Sequence, residues 1–78
     1  MEIIYTRHVQ QRMAQRKIAA EQVLETLETP DEILPGDNGE EIAIKRFGNR
    51  EIRVVYEETA PNRIVIYTVM KPKVRRPK

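Results

Sequence analysis

The hydrophobic period of this chain changes once, near Pro30, and that change limits what it can fold into. Before Pro30 the apolar residues follow a helical spacing: Val23, Leu24 and Leu27 fall at i, i+1 and i+4 on one face. After it they alternate. Between Glu41 and Phe47, Ile42 and Ile44 point one way while Ala43 and Lys45 point the other. Between Glu51 and Glu57, Ile52, Val54 and Tyr56 share one face, and Arg53, Val55 and Glu57 share the opposite one. Helices followed by strands predict an α+β fold.

Local signals divide the chain further. Glu2 to Tyr5 is β-branched and aromatic, suited to a short strand. Thr6 is a helix N-cap ahead of Arg7 to Arg16, which holds no glycine or proline. Lys17 to Ala20 is a joint, Glu21 to Glu28 a second helix, and Pro30 its stop. Glu32 to Leu34 suits a short strand, and Gly36 to Gly39 a turn. Gly48-Asn49 and the loop around Pro61 join three alternating runs into a meander. The expected architecture is two N-terminal helices packed on one face of an antiparallel β-sheet of about three to five strands. Val9, Met13, Ile18, Val23, Leu24 and Leu27 are the expected helical core. Ile42, Ile44, Ile52, Val54, Ile64, Ile66 and Val69 are the expected sheet contributors.

Size and composition bound the function. With 78 residues there is one domain, expected over 1–70, and a basic tail over 71–78 expected to be flexible. No cysteine and a single histidine leave no disulfide scaffold and no obvious zinc site, so no metal or cofactor is expected. Apolar runs are too short for a membrane span, and the expectation is a soluble cytoplasmic protein. The net charge of +2 is misleading. Five of the fourteen basic residues (Lys71, Lys73, Arg75, Arg76, Lys78) lie in the tail, and the body holds nine against twelve acidic ones. A nucleic-acid reading therefore depends on where those nine sit.

His8, Arg12 and Arg16 recur at i, i+4 and i+8, within about 80° of one another on a helix. Guanidinium forks hold phosphate oxygens, and a neutral imidazole can act as a base. The helix dipole disfavours a cation in the first turn, where His8 stands. The plainer reading is a solvated face, with Arg12 and Arg16 paired to Glu21, Glu25 or sheet carboxylates. A second basic set comprises Lys45, Arg46, Arg50 and Arg53, on either side of the Gly48-Asn49 turn. Its plainer reading is cross-strand ion pairing with Glu41, Glu51 or Glu57. The chain has no serine, no glycine-rich phosphate loop and no calcium-loop spacing. What survives is chemistry run by His, Arg, Lys and Tyr. RNA cleavage is such a chemistry, because the substrate's own 2′-OH is the nucleophile.

The run Tyr5-Thr-Arg-His-Val-Gln-Gln-Arg-Met-Ala-Gln-Arg-Lys-Ile18 resembles the opening of a family catalogued as domain of unknown function 4258. Thr29 to Ile33, Ile52 to Tyr56 and Ile64 to Val69 fit the same family, and the likeness spans Ile4 to about Lys71. The order of elements is similar to the RelE/ParE toxin superfamily, including BrnT-like toxins. That resemblance implies a toxin with an antitoxin partner, acting on messenger RNA at the ribosome or inhibiting another enzyme. By motif, it implies His8, Arg12 and Arg53 as catalytic residues. Arg16, Lys45, Arg46, Tyr67 and Lys71 would contact substrate phosphates. Two departures lie in the joint: Lys17 where the family usually has glycine, and Ala19 where it often has serine. The acidic body also differs from the basic bodies of typical ribosome-dependent toxins. The rival expectation is a non-catalytic module of the same fold that binds nucleic acid or protein.

Overall fold

The structure is a computed structural model that describes residues 2–72. Most of the basic tail, from residue 73 onward, lies outside the described residues. The elements run β1 (Glu2–Tyr5), α1 (Arg7–Arg16), α2 (Ala20–Glu28), β2 (Glu32–Pro35), β3 (Glu41–Phe47), β4 (Arg50–Ala60) and β5 (Arg63–Met70). The strands form one sheet in the order β1-β5-β4-β3-β2.

The α+β class holds, but the expected arrangement needs correction. The short strand expected at Glu2–Tyr5 is present and joins the sheet, so the helices are not the N-terminal layer on a separate sheet, and the sheet is mixed rather than antiparallel. β1 pairs with β5 in parallel, Ile3 opposite Ile64 and Tyr5 opposite Ile66, while the other neighbours are antiparallel. The cause is the β1–α1 connection. The chain leaves β1, folds back over the sheet as helices, and re-enters at the far edge as β2. Only adjacent strands joined by tight turns are forced to be antiparallel.

The turns follow their residues. Gly48 takes a positive φ of 66° at the first central position between paired Phe47 and Arg50, where a two-residue hairpin favours glycine. Pro61-Asn62 closes the β4–β5 hairpin, with Asn62 at φ 66°.

The core lies on one face of the sheet. Val9, Ile18 and Val23 of the helical layer meet Ala43, Ile52, Val54, Tyr56, Ile64, Ile66 and Val69. Two core expectations fail. Leu24 is 40% exposed, and Thr26 is fully buried instead, its hydroxyl donating to the Gln22 carbonyl at 2.7 Å. On β3, Ala43 rather than Ile42 and Ile44 faces the helices, because it sits opposite Val54. Cross-strand partners share a face, so Ile44, buried as expected at 4% exposure, lies with its partner Arg53 on the other side.

Two hydrogen bonds pin α1 along β5. Thr6 caps the helix by accepting from the Val9 N–H at 3.2 Å, and its hydroxyl donates to the Ile66 carbonyl at 3.4 Å. At the other end, Arg16 Nη1 donates to the Val69 carbonyl at 2.7 Å. β1 pairs with β5 only as far as Ile66, so the last turn of α1 comes down beside a stretch of β5 that β1 does not cover.

Candidate phosphate-binding cleft

One end of the molecule carries an open cleft of about 730 Å³, lined by Arg16, Lys17, Arg50, Arg53, Met70, Lys71 and Pro72. Three elements meet there: the C-terminus of α1, the start of β4 and the end of β5. Four of the nine basic residues of the body line it, and Lys71 adds a fifth cation.

Three of the five cations, Arg16, Arg53 and Lys71, are held by hydrogen bonds to neighbouring groups. Arg16 is fixed through the Val69 carbonyl. Lys17 ends α1 in the left-handed region, φ 55° and ψ 48°. Its N–H reaches the Ala14 carbonyl at 3.4 Å and the Ile18 N–H reaches Met13 at 2.9 Å, the paired bonds that close a helix with a left-handed residue. The Lys17 carbonyl, exposed by that turn, accepts from Lys71 Nζ at 3.0 Å. On β4, alternation puts Arg50 on the side of Ile52 and Arg53 on the opposite side, so the two approach the cleft from both faces. Arg53 Nε donates to Glu51 Oε2 at 2.7 Å. The Glu51 N–H in turn holds the Pro72 carbonyl at 3.2 Å, where the chain leaves β5.

The cleft thus gathers Arg16, Arg53 and Lys71 of the sequence candidates and leaves the rest elsewhere. His8 is exposed in the first turn of α1. Eight residues separate it from Arg16, about 12 Å along the helix axis. Arg12 is half-buried and donates to Gln15 Oε1 at 3.5 Å. Lys45 faces the helical layer, where its ammonium binds the Thr29 carbonyl at 2.8 Å and lies 3.8 Å from Glu25. It therefore secures the C-terminus of α2, where a cation complements the dipole. Arg46 lies 3.8 Å from Glu51 Oε1. Tyr67 is exposed on β5, in the register shift opposite Val55 and Tyr56, and donates to Glu57 Oε1 at 2.6 Å. That hydrogen bond, first among its causes, raises the Tyr67 phenol above its ordinary value.

Lys17 and Arg50 are the cationic lining residues that site assignment from sequence leaves out. The Gly48-Asn49 hairpin carries the signal for Arg50, because it fixes the register that starts β4 there. No sequence signal places Lys17, since its direction comes from the left-handed turn. Among the described residues no three His, Cys, Asp or Glu side chains gather closely enough to hold a metal ion, and no helix is long and apolar enough to cross a membrane. The cleft can bind anions: three guanidiniums and two ammonium groups line it, and of these Arg53 is paired with Glu51.

The model of one family, described as Domain of unknown function (DUF4258), matches residues 5–71. Comparison with curated proteins and with solved structures gave no match.

Proposed function

The chain belongs to the DUF4258 family, and we propose that this member is a toxin-like, metal-independent RNA endonuclease that grips a messenger RNA strand in the basic cleft. The supporting observation is the convergence of Arg16, Lys17, Arg50, Arg53 and Lys71 on one cleft in a body of negative net charge. Cations scattered for solubility would not collect at one end. A phosphodiester backbone is the polyanion that suits a row of forks and ammonium groups.

In this reading the 2′-OH gives its proton to a solvent water and attacks the adjacent phosphorus, and the P–O5′ bond breaks. The products are a 2′,3′-cyclic phosphate and a 5′-OH. Arg50 neutralises the non-bridging oxygens as negative charge builds on the phosphorane, and Arg53, from the other face of β4, holds a neighbouring backbone phosphate. Lys17 donates the proton that the leaving oxygen takes. His8 stays outside the reacting centre, and its substitution is expected to leave cleavage in place. A toxin of the RelE kind would also have an antitoxin partner and would meet its RNA on the ribosome.

A second reading, RNA binding without cleavage, is favoured by one observation. The lining residues include no imidazole, carboxylate or phenol to take the 2′-OH proton. A single experiment separates the two. Messenger RNA is incubated with the protein in excess chelator, with and without ribosomes, and the new ends are mapped. Cyclic phosphate ends that vanish in Arg50→Ala/Arg53→Ala but persist in His8→Ala support the endonuclease. RNA that is bound yet intact in both conditions, with no growth arrest on expression, supports the binding module instead.

A further inference from the structure

A carboxylate close behind a cationic cleft weakens anion binding by simple charge cancellation, and a buried one must also be desolvated. Glu51 nonetheless stands behind the lining residue Arg53 and in contact with it, itself 8% exposed. Its two oxygens serve different guanidiniums. Oε2 accepts from Arg53 Nε at 2.7 Å, and Oε1 lies 3.8 Å from Nε of Arg46, the cross-strand partner of Glu51. The Glu51 backbone is itself anchored by the Pro72 carbonyl. The contrast with Arg63 and Glu2 is direct: that pair meets at a similar 2.9 Å, but both side chains are more than half exposed, at 52% and 59%. The Glu51 side chain is 10% exposed beside an Arg53 that stays 42% exposed and lines the cleft.

We propose that Glu51 is a positioning residue for the phosphate-binding guanidinium of Arg53, an inference that rests on the RNA reading above. Binding through Nε occupies the inner edge of the fork. The two terminal nitrogens are left for a phosphate, with the guanidinium plane fixed before RNA arrives. A fixed fork loses less freedom on binding than a mobile one. The carboxylate thus costs general attraction and supplies orientation.

The two effects have opposite signs in one variant, which makes the inference testable. Affinity for a short fluorescein-labelled single-stranded RNA is measured at fixed salt for wild type, Glu51→Gln, Arg53→Ala and the double variant. Charge alone predicts tighter binding for Glu51→Gln, because a negative charge is removed. Positioning predicts binding roughly fivefold weaker, and no loss from the same change in the Arg53→Ala background. Tighter binding by Glu51→Gln, or an equal loss in both backgrounds, overturns the inference. Should Glu51→Gln fail to fold, Arg53→Lys keeps the charge and removes the fork, and unchanged affinity there is equally fatal. Wild type that does not bind RNA overturns the RNA reading itself, whereas the variant comparison bears on Glu51 alone.

Discussion

Lys17 shows how a single residue trades local stability for position. A side chain in the left-handed region costs about 1–2 kcal/mol. Glycine there would remove that cost but would add about 0.5–1 kcal/mol of unfolded-chain entropy. The balance favours glycine by about 0.5 kcal/mol, which is a rise of roughly 2–4 °C in a domain of this size. Lys17→Gly is therefore expected to melt higher than wild type and to bind RNA more weakly, since its ammonium lines the cleft. Thermal melting and RNA titration on the same preparation check both signs. A lower melting temperature would show that the left-handed turn is not strained by its side chain.

Among the elements, the β3–β4 ladder carries the clearest pH dependence. Tyr56 and Glu41 are cross-strand partners, and the buried phenol donates to Glu41 Oε2 at 2.8 Å. Desolvation, then the hydrogen bond and charge of Glu41, push the Tyr56 phenol up to about 12. The folded state therefore holds this proton more tightly than the unfolded chain, whose tyrosine titrates near 10. The associated stability is complete below pH 10 and is lost as pH rises from about 10 to about 12. The stability difference between wild type and Tyr56→Phe should shrink across that window, as read by urea unfolding from pH 8 to 12. A constant difference would mean that Tyr56 titrates alike in both states.

The same ladder shows what was legible in the sequence. Both helices and the three long strands follow from period, caps and turn residues, all of them local signals. Which face of β3 meets the helices is not legible from its side chains, because Ile42 and Ile44 are its most apolar residues. Yet the two-residue turn at Gly48-Asn49 sets Phe47 opposite Arg50, and counting back sets Ala43 opposite Val54. Register outweighs side-chain hydrophobicity there. The parallel pairing of β1 with β5 had no comparable signal, because about sixty residues separate the partners and no turn joins them. Of the site, Arg53 on the open face and Arg16 at the helix end were legible from alternation and helical spacing. Their meeting was not, since it depends on where the end of α1 comes to rest beside β5.

At the scale of the whole molecule, charge is distributed by function rather than by sum. The acidic residues of the body spread over helices, strands and turns, whereas four of its nine cations, with Lys71, face one cleft. The remaining tail cations, Lys73, Arg75, Arg76 and Lys78, lie outside the described residues. Net charge alone predicts equal losses of RNA affinity for any two arginines removed. The cleft predicts otherwise. The decisive measurement is a titration of fluorescein-labelled single-stranded RNA with two charge-matched double variants, Arg50→Ala/Arg53→Ala and Arg7→Ala/Arg63→Ala, across a range of salt. The cleft pair should lose about tenfold or more in affinity and flatten the salt dependence by roughly one to two ions, while the distant pair stays close to wild type. Equal losses for both pairs would mean that the cleft is not where RNA binds.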